Sequence, residues 1–548
     1  MTRTVHRHAR IHTLDPAHPG ATTLVVENGR IVALGGEELV REGDRVVDHG
    51  GAALLPGFAD VHTHHLLAGR ADLFELVLDG GADLDGLLAA VRAWCAELEP
   101  DAWVVGGGWG STLIPELSRA GVLAALDEAA GGRPVLLRDD SCHNRWVSSA
   151  ALALAGIDAD TPDPADGRIV RDAGVPTGLL IESALIPVER AFAASSGAGL
   201  ERDAAASRRG IEVLHSFGIT AFQDAAASEP MLGALRRLDD EGRLHAWVVT
   251  SLQVNDKIFG THPLGQDLID VRERYRSPHH RPDFVKIFLD GVPTSRTAAF
   301  LEPYLPDAEF GSGWRGTTTM TAEELTGWLL RVAERGMSAK VHCTGDGSTR
   351  MLLDAVEAVR AAGHSSARFH LAHGQYVSDS DLPRLAALGV VADISPPLWF
   401  PSLIIDAICA CVPRDRAERI HPNRALLDSG ALLAGGSDWP VMPSPNPWFG
   451  IQGLVSREDP TGSCPGRLWP EQAVSVREAI HAYTLGSARA MGLDDVAGSL
   501  SVGKSADFVV LDRDPFTCAV DDLSGTTALE TWFAGECVYR RESVLQGA

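Results

Sequence analysis

No C-x-x-C pair occurs in the 548 residues, and the eight cysteines are scattered rather than gathered into a framework. That excludes a disulfide-stapled scaffold and predicts reduced thiols in a cytoplasmic chain. Positive charge is short: 48 Lys and Arg stand against 73 Asp and Glu, a net charge of −25. Nucleic acid and anionic membrane would both be repelled, so the excess acid is read as a device for solubility. No apolar run is long enough to span a bilayer, and the opening Met1-Thr2-Arg3-Thr4-Val5-His6 lacks the apolar core of a signal peptide. Neither export nor membrane insertion is expected. The run Gly106-Gly107-Gly108 has neither the lysine nor the helix entry of a P-loop, which excludes nucleotide binding by that route.

What is present is the balance of a globular protein, with 45% hydrophobic and 22% charged residues. The length accommodates a barrel of roughly 250 residues or more with attachments. The most telling stretch is Leu54-Leu55-Pro56-Gly57-Phe58-Ala59-Asp60-Val61-His62-Thr63-His64-His65. Side chains two apart on a strand share a face, so His62 and His64 form a two-pronged nitrogen clamp suited to zinc or another borderline divalent metal. Such a clamp needs further ligands from elsewhere in the chain.

Seven later strand-like runs begin at Ile219, Ala246, Phe284, Ser338, Arg368, Val390 and Leu432. Helical stretches such as Glu323 to Arg335 and Met351 to Ala362 lie between them, with apolar residues recurring at three and four. With the opening strand these make eight strand-then-helix units. The predicted fold is therefore α/β, a distorted (β/α)8 barrel over residues 56–494, with an insertion at about 70–200 after the first strand. Short strands at both ends, residues 1–55 and 495–548, are each too few to bury a face alone. They are expected to pair into one small β-sandwich-like domain.

Reactive groups in such barrels sit where strands end. His342 closes the fifth predicted strand, His373 the sixth and Asp438 the eighth. Lys286 lies within the fourth between Val285 and Ile287, a costly place for a cation unless it is paired or chemically altered. A neutral buried lysine that takes up carbon dioxide becomes a carbamate, an anionic oxygen ligand able to bridge two metals.

His62-Thr63-His64, Lys286 in V-K-I-F-L-D-G, His342 in V-H-C-T-G-D, His373 in L-A-H-G-Q and Asp438 in G-G-S-D together resemble the amidohydrolase superfamily. The pattern is most similar to its amidohydrolase-3 or YtcJ-like branch, which includes N-substituted formamide deformylases. The resemblance runs nearly end to end and includes Ser295-Arg296-Thr297-Ala298 after the fourth strand. It implies that His62, His64 and Asp438 hold one metal, that His342 and His373 hold a second, and that carboxylated Lys286 bridges them. Two departures stand out: Ala372 precedes the sixth-strand histidine where the branch commonly has glutamate, and Val292-Pro293-Thr294 replaces a Gly-Ser-Leu-Gly-like run. Both bear more on substrate than on metal.

The expected activity is metal-activated hydrolysis of an amide-like C–N bond in a small molecule, with Asp438 moving the water's proton to the departing amine. An ester, a carbamate or a cyclic amide are alternative substrates, and a non-catalytic binder on the same scaffold is the rival. One ion or two, and monomer or homodimer, stay open. Trp109, Trp439 and other aromatic residues near the presumed loops suggest an apolar pocket or ordinary loop packing, and Arg296 a carboxylate anchor or a structural ion pair. His143, in Asp140-Ser141-Cys142-His143-Asn144, resembles a substrate-facing segment of the branch. His65, His143, His215 and His370 are read as structural groups or supports to the ligands rather than as metal ligands themselves.

Overall fold

The computed structural model describes residues 3–195 and 199–542. Eight parallel strands make its central sheet: β1 (Phe58–Thr63), β2 (Ile219–Ala227), β3 (Trp247–Gln253), β4 (His280–Phe288), β5 (Ser338–Cys343), β6 (Phe369–His373), β7 (Val390–Ile394) and β8 (Leu433–Gly435). Each pairs with the next in sequence order. These are the eight positions the sequence predicts. They run apolar on both faces because helices cover the outside and neighbouring side chains fill the inside. Val285, Ile287, Val341 and Leu371 are fully buried.

The sheet closes where β8, only three residues long, runs out beside β1. There the Asp438 N–H donates to the His62 carbonyl at 2.7 Å, and the His64 N–H to the Trp439 carbonyl at 2.8 Å. The Asp60 carboxylate ties the same seam, accepting from the His62 N–H at 3.0 Å, the Ser437 N–H at 3.1 Å and the Ser437 hydroxyl at 2.6 Å. Gly436 is required here, since a Cβ on it would lie 2.7 Å from the His62 nitrogen.

The outer helices follow from amphipathic spacing and capping. In Ala322–Glu334, Leu325, Leu329 and Val332 point inward, and Thr321 with Glu324 forms a reciprocal capping box. The next helix, Asp346–Ala361, begins a turn earlier than apolar periodicity indicates. Its first turn is fixed by polar contacts instead: Asp346 accepts the Leu301 N–H at 2.8 Å, and the Ser348 hydroxyl donates to Asp290 at 2.6 Å.

Between β1 and β2 the chain builds a six-stranded sheet in the order Gly167–Asp172, Val175–Glu182, Asn144–Val147, Val135–Asp139, Val104–Trp109 and Leu76–Val77. Strands from both ends of the chain meet in a five-stranded sheet containing Arg10–Ile11, Ala53–Pro56, Phe508–Leu511, Ala528–Phe533 and Glu536–Arg540. The hairpin Thr23–Glu27 and Arg30–Gly35 joins a separate four-stranded sheet with Thr4–Arg7 and Arg45–Asp48. Leu24, Val26 and Ile31 share one core with Leu54, Phe508 and Trp532, so the two sheets pack face to face. Among the described residues no helix is long and apolar enough to cross a membrane.

Candidate metal centre

The C-terminal rim of the barrel gathers the polar residues that end its strands. His62 lies in β1, and His64 caps the helix that follows it. His342 lies in β5, His373 ends β6, and Asp438 follows β8 by three residues. His373 and Asp438 have φ of 74° and 53°, the left-handed region that costs a non-glycine residue about 1–3 kcal/mol. The surroundings hold them there. His373 Nδ1 bonds the Ser395 carbonyl at 2.7 Å, and Asp438 is pinned through its N–H to His62.

These side chains converge. His64 Nε2 is 3.2 Å and His62 Nε2 3.6 Å from Asp438 Oδ1, and His373 Nδ1 is 3.8 Å from Asp438 Oδ2. Ligand atoms of His62, His373 and Asp438 all lie within 4.8 Å of one another. Three of the buried atoms at this point, His62 Nε2, His373 Nε2 and Asp438 Oδ1, have no hydrogen-bond partner among the described residues. Buried polar atoms are rarely left so, and two imidazole nitrogens with a carboxylate oxygen are the donor set of a zinc-like cation. The grouping crosses the division implied by resemblance, because His373 stands with His62 and Asp438. The His342 ring is 4.4 Å from that of His373, but its Nε2 bonds the Gly291 carbonyl at 3.1 Å, which leaves Nδ1 for a ligand.

Electrostatics favour neutral imidazoles. Burial, then the charges of Lys340 and Lys286, pushes His62 well below the usual histidine range. Burial and neighbouring imidazoles do the same to His342, and burial with His62 and Lys286 to His373. A neutral ring is the form that binds metal. Lys286 is buried, its ammonium 4.8 Å from the centre of the Phe288 ring. Among the described residues it forms no ion pair. Burial and the Lys340 ammonium pull it down to about 8.

Three supporting groups were not singled out from sequence. Asp393 on β7 accepts from His62 Nδ1 at 3.1 Å and also binds the Lys340 ammonium. It thereby fixes the tautomer that turns His62 Nε2 toward the centre. Lys340, beside Lys286 in the β4–β5 register, also donates to the Val61 carbonyl at 2.9 Å. Glu182 is the third, and its partner is His143. The argument that marks Lys286, an ionisable residue inside an apolar barrel strand, applies equally to A-K-V at Lys340 and A-D-I at Asp393.

A cavity opens over the rim, lined by His143, His342, His373 and Asp438, by Asp140 and Ser141 of the insertion, and by apolar Val292, Pro293, Leu398, Ile404, Ile408 and Val441. The departure at Val292-Pro293-Thr294 thus falls on the cavity wall. Three residues expected at the substrate are engaged elsewhere and do not line this cavity. Trp109 is fully buried in the insertion's core, its indole N–H on the Leu137 carbonyl at 3.0 Å. Arg296 pairs with Asp307 at 2.9 Å and donates to the Leu305 carbonyl at 2.7 Å. Trp439 packs into the barrel core while its carbonyl closes the β1–β8 seam. Proximity in sequence to a strand end does not decide which way a large side chain turns, and the hydrophobic core claimed both tryptophans. His65, by contrast, spends both ring nitrogens on Asp224 at 2.6 Å and Ser207 at 2.8 Å, which is a structural role.

The sequence pattern of the amidohydrolase family matches residues 45–539. An N-substituted formamide deformylase of Arthrobacter pascens is 30% identical, over 97% of each chain. The protein YtcJ of Bacillus subtilis strain 168 is 29% identical over 97% of this chain and 98% of its own. A metal-dependent hydrolase from Pyrococcus horikoshii OT3, itself uncharacterised, superposes with a TM-score of 0.74 at 24% identity, covering 95% of this chain and 99% of the other. A closed eight-stranded barrel, a histidine and aspartate cluster at its C-terminal rim and a match over nine-tenths of the sequence agree: the chain belongs to the amidohydrolase family.

Proposed function

We propose that this hydrolase is metal-dependent and cleaves the C–N bond of an amide-like substrate, an N-acyl or N-formyl amine carrying a hydrophobic or aromatic group. The observation that carries the reading is the convergence of three buried, unpartnered atoms, His62 Nε2, His373 Nε2 and Asp438 Oδ1. Near-complete coverage of the Arthrobacter deformylase supports the choice of bond, and the apolar wall of the cavity supports the choice of substituent.

His62, His64, His373 and Asp438 would hold a zinc ion, with His342 Nδ1 and Lys286 available to a second. When bound, such an ion polarises a carbonyl oxygen and acidifies water. The chain's own residues supply the rest. Asp438 accepts a proton from the attacking water and returns it to the amine nitrogen as the C–N bond breaks. Asp393 keeps His62 in one orientation. Lys286, lowered by burial and the Lys340 ammonium to about 8, more readily supplies the free amine that carboxylation requires: its nitrogen would bond the carbon of CO2 and release a proton. The free thiols fit a reducing, cytoplasmic setting.

Protein purified without chelator is expected to carry about one zinc or more per chain by elemental analysis and to release amine from N-formyl and N-acyl amines. Absence of stoichiometric metal would favour a binding protein on this scaffold, and turnover of matched esters alone would defeat the C–N assignment.

A further inference from the structure

His143 faces the cavity from the insertion, outside the metal cluster, with its ring 5.2 Å from that of His342. Its Nδ1 is 2.8 Å from Glu182 Oε2, and the Glu182 N–H donates back to the His143 carbonyl at 3.0 Å. Glu182 is fully buried and itself firmly held. Thr297 donates to Oε1 at 2.6 Å, and the Lys257 ammonium is 3.7 Å from Oε2. Its backbone has φ of 53°, unusual for a residue other than glycine. Burial pushes the carboxyl up, but Lys257, His143 and Thr297 outweigh that and hold it at about 2. Even the neighbouring main chain makes room: a Cβ on Gly291 would lie 2.1 Å from both Glu182 Oε1 and Thr297 Oγ1. That same Gly291 carbonyl receives His342 Nε2, so the pair is built against the rim.

A carboxylate has no proton to give. Glu182 therefore keeps a proton of His143 on Nδ1, so that in the neutral ring the edge offered to a ligand is the Nε2 lone pair. Of the other polar groups on the wall, Asp140 is bound by the Ser111 hydroxyl and the Thr344 hydroxyl donates to the Gly291 carbonyl at 2.6 Å; Thr294 Oγ1 and Gln375 Oε1 have no partner among the described residues, but neither is held in one orientation by a buried carboxylate as His143 is. We propose that His143 Nε2 accepts the N–H of a secondary amide, and that the Glu182-held tautomer makes this enzyme select amides that carry that hydrogen. His143 is then a specificity-determining contact and Glu182 a positioning residue. The proposal rests on the amide reading above and adds what that reading lacks, a reason for one substitution state of nitrogen over another. A site that hydrogen-bonds a substrate N–H discriminates strongly against an analogue without it, because its own buried acceptor is left unpaired.

The test compares kcat/KM for a matched pair, N-butylformamide and N-butyl-N-methylformamide, in the zinc-loaded wild type and in His143→Ala, His143→Gln and Glu182→Gln. Glutamine keeps the volume at 182 but can turn its NH2 toward Nδ1, which moves the ring proton to Nε2 and removes the acceptor. The secondary-to-tertiary ratio is expected to fall by roughly tenfold or more in His143→Ala and Glu182→Gln, with zinc content unchanged, and to fall less in His143→Gln, whose carbonyl can still accept. Wild-type turnover of the amides with a ratio that the variants leave unchanged would overturn the proposal while sparing the amide reading. No amide turnover by the wild type would overturn both.

Discussion

Both the six-stranded insertion and the mouth of the barrel bury ionisable groups, and their partners differ. In the insertion Arg145 donates to Glu189 at 2.6 Å and to the carbonyls of Cys142 and Ile258, while Arg138 meets Glu75 at 2.6 Å. Asp139 accepts from the Asn144 N–H, the Asn144 side chain and the Ser141 hydroxyl. Each of these buried charges has a protein partner. At the barrel mouth, His62, His373 and Asp438 leave ligand atoms unpaired although they are just as deeply buried. Both arrangements take polar groups out of water, but only the second keeps its donors for something that the chain does not itself provide. The difference separates polar burial that fixes a shape from polar burial that serves a ligand.

Two substitutions press on that contrast. Asp438→Asn should lower kcat by roughly 10²–10⁴, because it removes a proton acceptor and a metal donor together. The melting temperature of the metal-free protein should hardly move, since Asp438 Oδ1 makes no internal bond to lose. Substantial residual turnover would take Asp438 out of proton transfer. Arg145→Met should do the reverse. It leaves the buried Glu189 carboxylate short of its nearest partner and should cost about 3–5 kcal/mol of stability by denaturant titration. A loss near zero would mean that Arg138, 3.6 Å from Glu189, suffices alone, and the contrast between the two regions would weaken.

Much of this was readable in the sequence, and the reason is periodicity. Barrel strands announce themselves as short apolar runs, and a histidine or aspartate that ends such a run can only be at the rim, so His62, His342, His373 and Asp438 were legible. Asp393 and Lys340 carry the same kind of signal, yet what they do depends on a pairing across strands that are far apart in sequence. Glu182 was less accessible still, ending an insertion strand with nothing local to mark it. Trp109, Trp439 and Arg296 show what a loop position leaves open. Between a cavity wall and loop packing or an ion pair, side-chain direction is settled by packing and by Asp307, neither of which is local. The pairing of the terminal strands was likewise only partly readable, because Thr23–Glu27 and Arg30–Gly35 joined a sheet of their own.

A third kind of site lies between the two extremes and gives the smallest effect. Asp239 accepts from His279 Nδ1 at 2.8 Å and from the His279 N–H at 3.0 Å, near the surface at the other end of the barrel. Burial pushes its carboxyl up, but the hydrogen bonds and charge of His279 help to outweigh that and hold it at about 2. A carboxyl so depressed contributes stability above its unfolded value near 3.8, and that contribution is lost as pH falls through the folded value. Asp239→Asn should therefore cost about 1 kcal/mol at neutral pH, solvent screening keeping it small. The difference from wild type should shrink as pH falls from about 4 toward 2. Denaturant midpoints of the two proteins at several pH values would show this, and a gap that stayed constant with pH would mean that the carboxylate's charge has no part in the bond. Such a result would move Asp239 away from the paired charges of the insertion and leave charge pairing as a property of the deep interior alone.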